Sequence, residues 1–133
     1  MVSDVMKDLY EVILSRRDAA AENSYTAYLF REGLDKILKK VGEESSETII
    51  AAKSLEAALA GVQGGATGDK SSGAGFAADR RADLTNEVAD LVYHLLVMLA
   101  ERGVAWDEIE VILAERAGKS GNLKEIKETN KDS

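Results

Sequence analysis

Between Leu34 and Gly61 the chain repeats every seven residues: Leu34, Val41, Thr48 and Leu55 form one row, and Leu38, Ser45, Ala52 and Leu59 a second row beside it. Seven residues are close to two turns of α-helix, so both rows fall on one side of a single long helix and give it a continuous packing stripe. No proline interrupts this segment or any other part of the 133 residues, and Ala, Leu, Glu, Lys and Arg are abundant. That combination argues against sandwiches and barrels and predicts an all-α helical bundle of about four main helices. A chain of this size alone buries only about two thirds of its unfolded surface, which favours completion of the bundle by homodimerisation.

The other helices follow from the same periodicity. Val2, Val5, Met6, Leu9, Val12 and Ile13 recur at three- and four-residue steps and predict a first helix from a cap at Ser3 or Asp4 to near Ala20. Residues 22–26 read as a polar break, and Ala27 to Glu32 as a short helical turn stopped by Gly33. Six of the 11 glycines, at 61, 64, 65, 68, 73 and 75, crowd the stretch after the long helix and predict a flexible loop over residues 61–78. Its glycines form neither a phosphate-cradling loop, which needs an adjacent Gly-Lys, nor a dinucleotide fingerprint, which needs a preceding strand.

Regularity returns near Leu84. Val88, Leu91, Val92, Leu95, Met98 and Leu99 surround much of a helix that ends at Arg102-Gly103, as expected for the most buried element of the bundle. A last helix is expected from Trp106 to Arg116, with Ile109, Ile112 and Leu113 facing inward. Residues 1–118 thus make one domain and 119–133 a polar C-terminal tail.

The net charge of −7 argues against nucleic acid as a partner, since an acidic surface repels a phosphate backbone. Neither the start of the chain nor the apolar run from Leu91 to Ala100 has the form of a secretion signal or membrane span, so a cytoplasmic protein with no membrane partner is the expectation. The absence of cysteine excludes disulfides. The same negative charge would repel a small phosphorylated substrate unless a cation intervened.

Glu44-x-x-Glu47 and Glu87-x-x-Asp90 are the candidates to hold such a cation. By helical phase Glu44 lies at the border of the packing stripe and Glu47 just outside it, while Glu87, Asp90 and His94 line up along one edge of the later helix. A carboxylate at such a border loses water and repels its neighbours, which costs several kcal/mol without a compensating positive charge. Two pairs from facing helices can supply oxygens to Mg2+, which prefers octahedral oxygen ligation and retains waters. The bland alternative is that both pairs are solvated helix faces, since Glu-x-x-Glu is common. Di-iron chemistry is disfavoured because no Glu has a His three residues later.

Ser24-Tyr25-Thr26-Ala27, Lys40-Val41-Gly42-Glu43-Glu44-Ser45-Ser46-Glu47, Ala51-Ala52-Lys53 and Glu87-Val88-Ala89-Asp90-Leu91-Val92-Tyr93-His94-Leu95 follow one another in an order that resembles the phosphoribosyl-ATP pyrophosphatases of histidine biosynthesis. Their acidic pairs are shared with a wider all-α nucleotide pyrophosphohydrolase superfamily. The resemblance covers residues 5–118 outside the glycine-rich loop, and it departs in the length of that loop and in a proline-free turn before Ser24. It implies a helical homodimer that hydrolyses phosphoribosyl-ATP between its α and β phosphates, with Mg2+, to phosphoribosyl-AMP and pyrophosphate. It also implies Glu44, Glu47, Glu87 and Asp90 as metal ligands, and Glu43 as a further ligand or as the base that orients water.

Phosphoanhydride hydrolysis also needs positive charge near the phosphates. Lys40, Lys53 and Arg31 are candidates, with ion pairing on a charged helix as the plain alternative; for Arg16, Arg17 and Lys39 that alternative is preferred. Ser24, Tyr25 and Thr26 are candidates for contacting the nucleotide, as are Tyr93 and His94, against the readings of capping and core packing. Two other functions stand beside the first: a related enzyme that removes canonical or damaged nucleoside triphosphates, and a non-catalytic helical association module.

Overall fold

The computed structural model describes residues 4–19, 23–61 and 73–119. Five helices follow in order: α1 (Val5–Ala19), α2 (Tyr25–Glu32), α3 (Leu34–Leu59), α4 (Gly73–Arg102) and α5 (Trp106–Ala117). No strand occurs among the described residues, so the chain is an all-α bundle. The predicted cap at Ser3, the end of α1 at Ala20, residues 62–72 of the loop and residues 120–133 of the tail lie outside the described residues.

The frame of the molecule is the antiparallel pair α3 and α4, which make the most extensive helix–helix contact. At one end of the pair, α1 and α2 pack across it, and the core forms there. Ile13 of α1, Leu29 of α2, Ile37 of α3, and Leu96 and Val97 of α4 are all 0–1% exposed. Tyr10 and Ala100 complete this cluster, and Met6, Leu9, Leu14 and Phe30 pack around it.

Local chemistry fixes the joints. Ser24 caps α2: its Oγ accepts a hydrogen bond from the Ala27 amide at 3.0 Å, so the helix starts two residues earlier than the expected Ala27. Gly33 has φ +97° and ψ −179°, a conformation open essentially only to glycine, and it ends α2 and starts α3 at once. At the end of α4, Gly103 takes φ +73°. Val104 N–H donates to Leu99 O at 2.9 Å and Gly103 N–H to Ala100 O at 3.2 Å, the paired bonds of a Schellman motif. The Tyr10 hydroxyl donates to Val104 O at 2.6 Å and ties this turn to α1.

Four expectations are corrected. On α3 the buried line is Ile37, Glu44, Ala51 and Ala58. The row Leu34, Val41, Thr48 and Leu55 flanks it half-buried, whereas Leu38 and Leu59 of the other expected row are exposed. A seven-residue repeat determines that a helix has a face but not which row is its centre; the small Ala51 and Ala58 permit close approach by α4, and that sets the phase. Residues 73–78, expected in the loop, are the first turns of α4. Only the C-terminal part of α4, with His94, Leu96, Val97 and Ala100, is buried, because its earlier turns have α3 as their sole extensive partner. On α5, Ile112 and Leu113 are 48% and 51% exposed rather than inward, since this helix packs on α1 through a small contact.

Candidate catalytic site

Midway along the α3–α4 groove, carboxylate oxygens of Glu44, Glu47 and Glu87 lie within 4.8 Å of one another. Glu44 sits on the buried line of α3, Glu47 one turn later at the groove's edge, and Glu87 faces them from α4. Asp90, the fourth expected ligand, is exposed and stands outside this group of three, although its charge acts on Glu87.

Glu44 is 6% exposed. One of its oxygens, Oε1, is 3.9 Å from Lys40 Nζ. The other, Oε2, is buried with no hydrogen-bond partner. A buried oxygen left in this state is costly, so the site fits a positively charged ligand that the protein does not itself supply. Glu87 shows the same strain. A hydrogen bond to Glu47, loss of water, and repulsion by Glu47, Glu44 and Asp90 raise its carboxyl to about 7. Protonation of Glu87 relieves repulsion among these carboxylates that a bound cation would otherwise balance.

The N-terminal end of α2 lies next to this cluster. The Tyr25 hydroxyl is 2.8 Å from His94 Nε2, and His94 Nδ1 is 2.8 Å from Asp90 O. A carbonyl can only accept, so Nδ1 carries a hydrogen, and in the neutral ring Nε2 accepts from Tyr25. His94 thereby links α2 to the turn of α4 that carries Asp90. The Thr26 hydroxyl bonds to the Tyr93 hydroxyl. Tyr25 is stacked on Tyr28 with centroids 6.3 Å apart, and Lys36 Nζ stands 5.7 Å from the Tyr28 ring. Burial raises the Tyr25 phenol, against the opposing pull of Lys40, with Glu44 adding to the rise. Burial draws the Lys40 ammonium down, but Tyr25, Glu43 and Glu44 outweigh it and leave it raised.

Of the expected site residues, Glu43, Glu44, Glu47 and Glu87, together with Lys40, Tyr25 and His94, are thus gathered at one place. Thr26 and Tyr93 adjoin through their hydroxyls, and the Ser24 hydroxyl is engaged as a cap. Lys53 is about 180° around α3 from Glu44 and pairs with Glu56. Arg31 lines a separate cavity with Arg17, Phe30 and Glu101. Tyr28 and Lys36 adjoin this site without standing among the residues expected from the sequence, although Tyr28 is three residues from Tyr25 and therefore on the same helical face. Arg80 likewise lies on α4 at the same groove, ahead of the expected helix start near Leu84.

An all-α fold that collects carboxylates from two antiparallel helices beside a lysine and a cluster of aromatic hydroxyls defines a class of hydrolase that handles phosphates. The chain matches the model of the phosphoribosyl-ATP pyrophosphohydrolase family over residues 6–117, and it belongs to that family. Among its relatives is a phosphoribosyl-ATP pyrophosphatase of Lactiplantibacillus plantarum, 46% identical over 90% of this chain and 91% of the relative. Proteins of the same description in Listeria welshimeri (42% identical; 93% and 96% covered) and Pelotomaculum thermopropionicum (47% identical; 87% and 94% covered) match along nearly their whole lengths.

Proposed function

We propose that this protein hydrolyses phosphoribosyl-ATP to phosphoribosyl-AMP and pyrophosphate in histidine biosynthesis, with Mg2+ held by Glu44, Glu47 and Glu87 and with Asp90 at the margin of that set. The observation that carries the metal part is the buried, unpartnered Oε2 of Glu44 facing two further carboxylates. The substrate is supported by family membership and by the relatives' activity. Bound there, Mg2+ would polarise phosphoryl oxygens and acidify a bound water.

The protein's own groups divide the remaining work. Glu43, exposed beside the cluster and 3.6 Å from Lys40 Nζ, is placed to orient water or to add a ligand. Lys40 supplies positive charge at the phosphates, and the rings of Tyr25 and Tyr28 offer a shelf for a base. His94 positions Tyr25. We further propose that the protein acts in the cytoplasm as a homodimer. No helix among the described residues is long and apolar enough to cross a membrane, and exposed apolar side chains on α3 and α5, including Ile49 and Val111, leave faces that a second copy would cover.

Incubation of the purified protein with phosphoribosyl-ATP and Mg2+, with EDTA as control, tests this reading. Pyrophosphate should appear from phosphoribosyl-ATP only with the metal, and Glu47→Gln should reduce the rate by more than about 100-fold, since loss of even an outer-shell partner costs up to that much. Faster release from deoxynucleoside triphosphates would instead make it a nucleotide-clearing relative. Light scattering at twice the chain mass of 14.3 kDa would establish the dimer.

A further inference from the structure

Beyond the acidic cluster the α3–α4 groove opens into a cavity of about 420 Å³. Glu47 and Glu87 border it on the cluster side, Ile50 and Ser54 line it from α3, and Arg80 and Asn86 from α4. Among the described residues lining it, Arg80 is the sole basic one. Arg80 and Glu87 are seven residues apart on one helix and share a face, about 10 Å apart along its axis before their side chains shorten the gap.

The guanidinium is held from two sides. Its Nε lies 3.0 Å from Asp83 Oδ2, and its central carbon stands 5.0 Å from the centroid of the Phe76 ring. Nε is buried, yet its hydrogen is not directed at an acceptor. An ion pair three residues apart on an open helix face is an ordinary surface feature worth little. Here the carboxylate and the ring orient a planar fork at the mouth of a cavity whose other charged residues, Glu47, Glu87 and Asp83, all repel anions. A guanidinium held in one plane can pair with phosphate through two parallel bonds at reduced entropic cost.

We propose that this cavity is a phosphate subsite, in which Arg80 binds a phosphoryl group of the substrate other than the one attacked at the carboxylate cluster. The inference rests on the phosphohydrolase reading above. Two groups have the required chemistry: the terminal phosphate of the departing pyrophosphate, and the 5′-phosphate of the phosphoribosyl group.

Arg80→Gln and Arg80→Lys test it in the full-length chain, by calorimetric titration with magnesium pyrophosphate and with ribose 5-phosphate, and by kinetics on phosphoribosyl-ATP and ATP. The expected result is that Arg80→Gln raises KM for phosphoribosyl-ATP about 10-fold or more with kcat much less changed, and that Arg80→Lys recovers part of the loss. If the subsite holds the leaving group, Arg80→Gln also weakens pyrophosphate binding and raises KM for ATP. If it holds the phosphoribosyl phosphate, ribose 5-phosphate binding falls while ATP kinetics stay the same. Unchanged KM together with unchanged binding of both anions overturns the proposal. Should the wild-type protein leave phosphoribosyl-ATP intact, the functional reading fails separately and the titrations still decide the subsite: anion binding lost in Arg80→Gln supports it, and binding that is equal or absent refutes it.

Discussion

Glu44→Met separates what Glu44 does for function from what it does for stability. The carboxyl is 6% exposed, one oxygen has no partner, and the other has Lys40 at 3.9 Å. An unsatisfied buried polar atom costs about 1–3 kcal/mol, and methionine has a comparable length with no oxygen to satisfy. Lys40 retains Glu43 at 3.6 Å, so the replacement strands no cation. In EDTA, Glu44→Met should therefore be more stable than wild type by about 1–3 kcal/mol, or about 4–10 °C in Tm for a domain of this size. With Mg2+ the order should reverse. A cation at about 1,000 times its Kd adds about 4.1 kcal/mol to a protein that binds it, more than the variant's advantage, and the variant would gain almost nothing. Thermal melts of both proteins in EDTA and across a Mg2+ series measure each term. A variant less stable than wild type in EDTA, or one whose Tm still climbs with Mg2+ as the wild type's does, would refute the reasoning.

The pH dependence should carry the mark of Glu87. Its carboxyl is raised from 4.5 to about 7, so the folded protein holds a proton that the unfolded chain has released. That contribution is fully present below the unfolded value and is lost as pH rises through about 7. In EDTA, Tm should fall across that interval, Mg2+ should remove the fall, and Glu87→Gln should flatten it; a wild-type profile that is flat or rising contradicts a raised Glu87 carboxyl. Gly33→Ala should destabilise by about 1–3 kcal/mol, measured by urea unfolding, because alanine resists φ +97° with ψ −179° although its Cβ would meet no atom within 4 Å. An effect below about 0.5 kcal/mol would mean that the α2–α3 joint relaxes into an ordinary conformation. Ile37→Ala, at a side chain with no exposure where four helices meet, should cost about 2–5 kcal/mol in the same assay.

The helices were legible because their signals are local. The seven-residue recurrence, the glycines at 33 and 103, and the acidic start of α5 act within a few residues of the backbone they organise. Glu44, Glu47 and Glu87 were equally legible as candidates, since carboxylates at three-residue spacing on an amphipathic helix occupy one side of it. Misplaced details belonged to packing. The buried row of α3 lies three residues after one expected row and one residue before the other, rotations of about 60° and about 100°, and the choice among them is made by which face α4 can approach closely. Ile112 and Leu113 illustrate the same limit: their apolar character and spacing mark a face, while exposure depends on whether another element reaches it.

The sequence by itself determined an all-α chain, the approximate extent of its helices, and the carboxylates available for chemistry, because helix periodicity, capping and residue type are properties of short stretches. Only the tertiary structure decided that Glu44 lies buried with an unpartnered oxygen, that Glu47 and Glu87 bring oxygens within 4.8 Å of it while Asp90 stands outside that group, that His94 links Tyr25 to the acidic turn, and that Arg80 enters the same groove. Each of these depends on side chains from separate segments meeting at distances of a few ångströms. The mutual phase of α3 and α4 sets those distances, and it is chosen by how the two surfaces pack.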